Sequence, residues 1–193
     1  MTSAALSDPL LRERDIEVAE RHRYGDDTAF EEVFDRFHEM VYNLALRMTG
    51  DPEDAADLTQ DAFLRIYRHL GSFSGRSTLK TWVYRVAINC CRSRLRRRSF
   101  RAARGPIVEL DLAKVADERR GPEQRTLAGD ARRRLLRGLA ELPPIYREAV
   151  VLRDLEGLSY CEVAAALKLR IGTVRSRIAR GRERLRKALE AAR

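Results

Sequence analysis

Apolar residues return every three or four positions through "AFEEVFDRFHEMVYNLALRMTG", where Phe30, Val33, Phe34, Phe37, Val41, Leu44, Ala45 and Met48 form one stripe. That period predicts an amphipathic α-helix, closed by Gly50. "DPEDAADLTQDAFLRIYRHLG" repeats the design. Asp51 can accept from the first unpaired backbone N–H groups, Pro52 suits the first turn, and the acids beside them favour the positive end of the helix dipole. Gly71 stands just past the expected end, and Ala55, Leu58, Ala62, Ile66 and Leu70 are the expected buried stripe. After the turn-like "SFSGRS", a third helix is expected from about Thr78 to Arg97, with Trp82, Val83, Val86, Ala87 and Leu95 as apolar contacts.

Beyond Ser99 the period fades, and Gly105-Pro106 and Gly121-Pro122 punctuate a mixed-charge stretch too long for a loop inside one domain. It reads as a linker. Helical spacing returns near Ala128, breaks at Pro143-Pro144, restarts through "IYREAVVLRDLEG" and again after Ser159. No stretch alternates as a strand would, and no internal repeat is present. The expectation is an all-α chain of two small helical domains, residues 15–98 and 127–193, joined by a flexible linker at 99–126.

The C-terminal segment "LSYCEVAAALKLRIGTVRSRIARGRERLRKAL" holds two helices joined by a tight connection. Ser159 and Glu162 have capping-box spacing, so a helix starts there and turns Val163, Ala164 and Leu167 inward. Lys168 to Arg170 form the turn. The second helix buries Val174, Ile178, Leu185 and Leu189, leaving Arg175, Ser176, Ala179, Arg180 and Arg182 facing away from the core. This is a helix-turn-helix layout, whose second helix enters the DNA major groove. Guanidinium groups suit that role because they bind phosphates by charge and guanine edges bidentately, while a hydroxyl adds a shorter hydrogen bond. A merely solvated amphipathic helix is the plainer reading, and the scarcity of acids in this segment argues against it.

Composition sharpens this picture through its distribution. A net charge of +9 favours a polyanion or an acidic surface as partner. Yet Asp26 to Asp61 is crowded with acids against only Arg36 and Arg47, while Arg92 to Arg104 and Arg170 to Lys187 are basic blocks. Separate charged blocks suggest separate surfaces for separate partners. Cys90, Cys91 and Cys161 lack zinc or disulfide spacing, and adjacent Cys90 and Cys91 on a helix are poorly placed to bridge each other. Asp54, Asp57 and Asp61 have a spacing that could suit a metal, but no histidine or second carboxylate cluster completes a site. His22, His38 and His69 are scattered, without a general-base constellation. No cofactor, no metal and no enzymatic role is therefore expected. The N-terminus has no apolar core of a signal peptide and no apolar run approaches a membrane span, so a cytoplasmic chain without membrane insertion is the expectation.

These motifs carry a resemblance. "LPPIYREAVVLRDLEGLSYCEVAAALKLRIGTVRSRIARGRERL" resembles the C-terminal promoter-reading domain of extracytoplasmic-function sigma factors, the compact specificity subunits of bacterial RNA polymerase. "FEEVFDRFHEMVYNLALRMTGDPEDAADLTQDAFLRIYRHL", followed by "FSGRSTLKTWVYRVAINCCRSRLRR", resembles their N-terminal domain. The linker is too short for the middle domain of housekeeping sigma factors, and the N-terminus too short for their inhibitory extension. The resemblance implies core RNA polymerase, promoter DNA and an anti-sigma factor as partners, and promoter-specific initiation as the function. The alternative is a stand-alone helix-turn-helix regulator whose helical N-terminal domain senses a ligand or dimerises.

Residue by residue, the resemblance places core-polymerase docking on Asp54, Asp57, Leu58, Gln60, Asp61, Leu64 and Arg68, against a coiled coil of the largest subunit. Spacing agrees that Asp57, Asp61, Leu64 and Arg68 share a helical face away from the buried stripe. It implies melting and capture of the minus-ten element by Phe73, Arg76, Lys80, Trp82, Arg85 and Asn89, since unpaired bases need planar surfaces and their backbone needs cations. Trp82 and Tyr84 equally fit a core. Arg92, Arg94, Arg96, Arg97 and Arg98 would extend this surface with sequence-blind, salt-sensitive affinity. For the minus-thirty-five element it implies Arg175, Ser176, Ala179 and Arg180 at the base edges, with Arg170, Thr173 and Arg177 at phosphates. The family often has glycine and proline in the turn where this chain has Lys168 and Arg170, so a left-handed turn residue would cost about 1 kcal/mol here.

Overall fold

The computed structural model describes residues 9–102 and 122–191, and every regular element among them is helical. Helix α2, Asp27–Thr49, is closed at both ends as its sequence dictates. Asp26 accepts from the Thr28 N–H at 3.0 Å, and Gly50 takes φ 75°, sending its N–H to the Leu46 carbonyl at 2.8 Å. Helix α3, Pro52–His69, begins with Asp51 accepting from Glu53 and Asp54 at 2.9 and 3.0 Å, and the expected stripe is buried throughout, its last member Leu70 just past the helix end. Gly71 does not close α3 as a left-handed cap. Instead the chain passes through a 3-10 turn, Leu70–Ser72, that contains it.

Helix α1, Pro9–Arg23, escapes the periodicity argument because one of its three buried residues is a carboxylate, Asp15, beside Val18 and Ala19. Helix α4, Leu79–Ala102, extends beyond the expected Arg97 and forms the axis of the molecule, with α2, α3, α6 and α7 packed around it. Being surrounded, it buries Val83, Tyr84, Ala87, Ile88, Cys90 and Cys91 on more than one face. Burial pushes the Cys91 thiol up to about 12 and raises Cys90 as well, whereas Cys161 is exposed. The linker expected at 99–126 lies largely outside the described residues, with its ends taken by α4 and α5.

The C-terminal half comprises α5, Pro122–Glu141; α6, Pro144–Val150, which runs into a π-helical turn at Val151–Leu155; α7, Tyr160–Leu167; and α8, Ile171–Ala191. Gly181 lets α6 and α8 approach, since a Cβ there would lie 2.5 Å from Val150 Cγ2 and 3.2 Å from the Tyr146 carbonyl.

The two halves pack directly on each other. Arg147, 6% exposed, donates to the Met48 carbonyl at the end of α2 and to the Ala140 and Leu142 carbonyls at the end of α5. Burial lowers this guanidinium to about 10, still far above neutral, so it is a cation held at the negative ends of two helices. Glu148, 2% exposed, accepts two bonds from Arg92 at 2.7 Å each and one from Arg177 at 3.3 Å. Glu156 receives Arg47 and the Tyr84 hydroxyl.

Candidate polymerase-docking and nucleic-acid faces

On the outer face of α3, Gln60, Asp61, Leu64 and Arg68 are exposed. Leu58 is not on this face: it is 3% exposed and belongs to the core stripe, so its expected docking role is corrected to a structural one. Asp54 and Asp57 are already partnered. Arg94 reaches Asp54 at 2.7 Å and Asp57 at 2.9 Å, and Arg98 reaches Asp54 at 2.7 Å. The acidic start of α3 and the basic end of α4 thus meet each other, which corrects the expectation that these blocks serve only separate partners.

Beside Leu64 and Gln60 lies an open groove of about 600 Å³ between α2 and α3. Its walls are aromatic, with Phe34 and Phe63 centroids 4.7 Å apart and Tyr67 edge-on to Phe30 at 5.0 Å. The spacing argument had assigned Phe30 and Phe34 to the core of α2. Phe34 is instead 37% exposed and Phe30 only half-buried, because they sit on the flank of the stripe facing α3. An apolar groove with a polar rim is the anatomy of a surface that receives side chains of another protein.

The segment from Phe73 to the first turns of α4 presents Arg76, Lys80 and Asn89 to solvent, with Trp82 and Arg85 half-buried. Trp82, Arg85 and Asn89 share one helical face by their spacing. The Arg85 Nε is shielded from solvent and has no hydrogen-bond partner in the chain. Phe73 departs from its expected role: 4% exposed and edge-on to Trp82 at 5.9 Å, it backs the tryptophan and offers no face to a base. Tyr84 is core, its phenol pushed up by burial and the adjacent Glu156.

In the helix-turn-helix, the Ser159–Glu162 capping box is complete at 2.8 and 3.2 Å. Lys168 adopts the left-handed conformation, φ 54° and ψ 48°, that the turn requires. Arg170, Thr173, Arg175, Ser176, Ala179 and Arg180 are all exposed, while Val174 and Ile178 hold α8 to the core. Arg177 departs from this face. It turns inward to Glu148, which also holds Arg92 of α4, so its guanidinium is engaged within the chain. Arg182 pairs with Asp154. Among the described residues, no three His, Cys, Asp or Glu side chains converge as a metal site, and no helix is long and apolar enough to cross a membrane.

Residues 33–101 match the family model for Sigma-70 region 2, and residues 132–185 match that for Sigma-70, region 4. The RNA polymerase sigma-H factor of Pseudomonas aeruginosa is 34% identical over 186 residues, 94% of this chain and 96% of its own. The ECF RNA polymerase sigma-E factor of Escherichia coli K12 is 36% identical over 174 residues, 86% and 89% of the two chains. Among solved structures, CnrH in complex with the cytosolic domain of CnrY superposes with a TM-score of 0.64 at 29% identity, covering 92% of this chain and 97% of CnrH.

Proposed function

Because this chain belongs to the extracytoplasmic-function sigma factors, which direct RNA polymerase to promoters, we propose how its three faces divide that work. The α2–α3 groove, lined in part by Gln60 and Leu64, takes the polymerase together with Asp61 and Arg68, which are exposed on the outer face of α3. Arg76, Lys80, Trp82, Arg85 and Asn89 take the opened minus-ten element. Arg170, Thr173, Arg175, Ser176, Ala179 and Arg180 take the minus-thirty-five duplex. The observation that carries this division is the unpartnered aromatic groove on one half of a chain whose other half exposes a basic recognition helix. A stand-alone regulator would use only the second. The initiation factor supplies recognition and strand separation, leaving bond formation to the polymerase, and it works in the cytoplasm. An anti-sigma protein that covered the groove would silence it.

Arg180→Ala tests the duplex face. If Arg180 meets a base edge, the holoenzyme loses about 1–3 kcal/mol at matched minus-thirty-five sequences and discriminates less at one position. Equal loss across all sequences would make it a phosphate contact, and no loss would remove it from the interface.

A further inference from the structure

Helix α1 precedes both matched segments, yet it runs alongside the end of α3, the loop that follows and the start of α4, touching them at four successive levels. His22 Nε2 meets the Tyr67 carbonyl at 2.8 Å, and Arg23 Nε donates to the Gly71 carbonyl at 2.6 Å. Ile16 abuts Gly75: a Cβ on that residue, whose φ is 65°, would lie 2.7 Å from Ile16 Cδ1. Finally Asp15 Oδ2 accepts from the Leu79 N–H at 2.7 Å, the first amide of α4, while its Oδ1 accepts from Arg36 at 3.1 Å.

A carboxylate only 1% exposed is costly to bury unless its charge is used. Here it satisfies an amide at the positive end of α4 and has one cation to balance it. Thr78 completes the cap, its Oγ1 accepting from the Thr81 N–H at 3.2 Å. Between these anchors the loop has little freedom, and Phe73, Ser77 and Thr78 are all buried. The residues left outside, Arg76, Lys80 and Trp82, therefore take their positions from a frame that α1 supplies.

We propose that α1 is the template for minus-ten recognition in this protein, and that Asp15 is its principal positioning residue. The inference rests on the assignment of the Arg76–Asn89 segment to the minus-ten element. Asp15 touches no DNA. It acts through the start of α4 and the loop, fixing Trp82 and its neighbours where an unstacked base can be held; a freer loop would lose ordering entropy on every capture.

The test uses the full chain assembled with core RNA polymerase. Its probe is short single-stranded DNA carrying the minus-ten sequence that the wild-type holoenzyme selects from a randomised promoter pool, compared with a scrambled strand. Asp15→Asn keeps the shape but replaces one acceptor by a donor, and is expected to lower the matched-to-scrambled affinity ratio about tenfold, with core-polymerase and minus-thirty-five duplex binding within about twofold of wild type. Ile16→Ala, which removes no polar contact, should lower the ratio about threefold and covers the case in which Asp15→Asn fails to fold. 2-Aminopurine placed in the matched strand should brighten less with either variant, since fewer bases are held unstacked. Unchanged ratios in both variants would overturn the proposal, as would parallel losses in ratio and polymerase binding, which would make α1 a stability element only. A wild type unable to distinguish the two strands would overturn the minus-ten assignment itself.

Discussion

Leu64→Arg is expected to weaken binding to core RNA polymerase at least a hundredfold. Leu64 is 49% exposed at the rim of a groove whose walls are Phe30, Phe34, Phe63 and Tyr67, so the substitution leaves the core untouched and the variant folds. In the complex, however, a guanidinium would have to be stripped of water against aromatic walls, and none of the residues lining the groove is an acid. A hundredfold loss corresponds to about 2.7 kcal/mol, the size of a well-placed interface anchor. Gln60→Ala at the same rim should cost far less, about 0.5 kcal/mol, since its amide can remain solvated. Titration of labelled core enzyme measures both. If Leu64→Arg binds as the parent does, the polymerase docks elsewhere and the groove belongs to another partner.

Arg147→Ala should lower the free energy of unfolding by about 3 kcal/mol. The truncation leaves a void and strands three backbone carbonyls, those of Met48, Ala140 and Leu142, in a site that water reaches poorly. Each unsatisfied buried acceptor costs about 1–3 kcal/mol, although relaxation returns part of the sum. Arg147→Lys should fall in between, because an ammonium group has the charge but not the planar fork that spans carbonyls from two helices. Urea unfolding followed by circular dichroism gives the difference. Since Met48 ends α2 in the first half while Arg147 and α5 lie in the second, a midpoint unchanged from wild type would show that the halves do not depend on this contact.

Most of the helical plan was legible because it follows from local rules. The caps at Gly50, Asp51 and Ser159 formed where short-range chemistry puts them, and the stripe of α3 is buried without exception. What the sequence hid was long-range. Asp15 gives α1 no apolar signature, and its partners Leu79 and Arg36 are distant in the chain. The resemblance put Arg177 at a phosphate, but Glu148, brought in from α6, claims it. Phe30 and Phe34 share the period of the core. Only the angle at which α3 leans on α2 turns them into the walls of a groove. Leu58 had two readings, docking by resemblance and core by period, and the period was right.

Mapping transcript 5′ ends shows whether this chain gives core polymerase its choice of promoter. Purified core RNA polymerase and genomic DNA from the protein's own source would be incubated with and without the chain. A discrete set of start sites should appear only with the chain, preceded by two shared elements at fixed spacing, and vanish with Leu64→Arg. Start sites identical with and without the chain, while it still binds duplex DNA alone, would make it a stand-alone regulator instead.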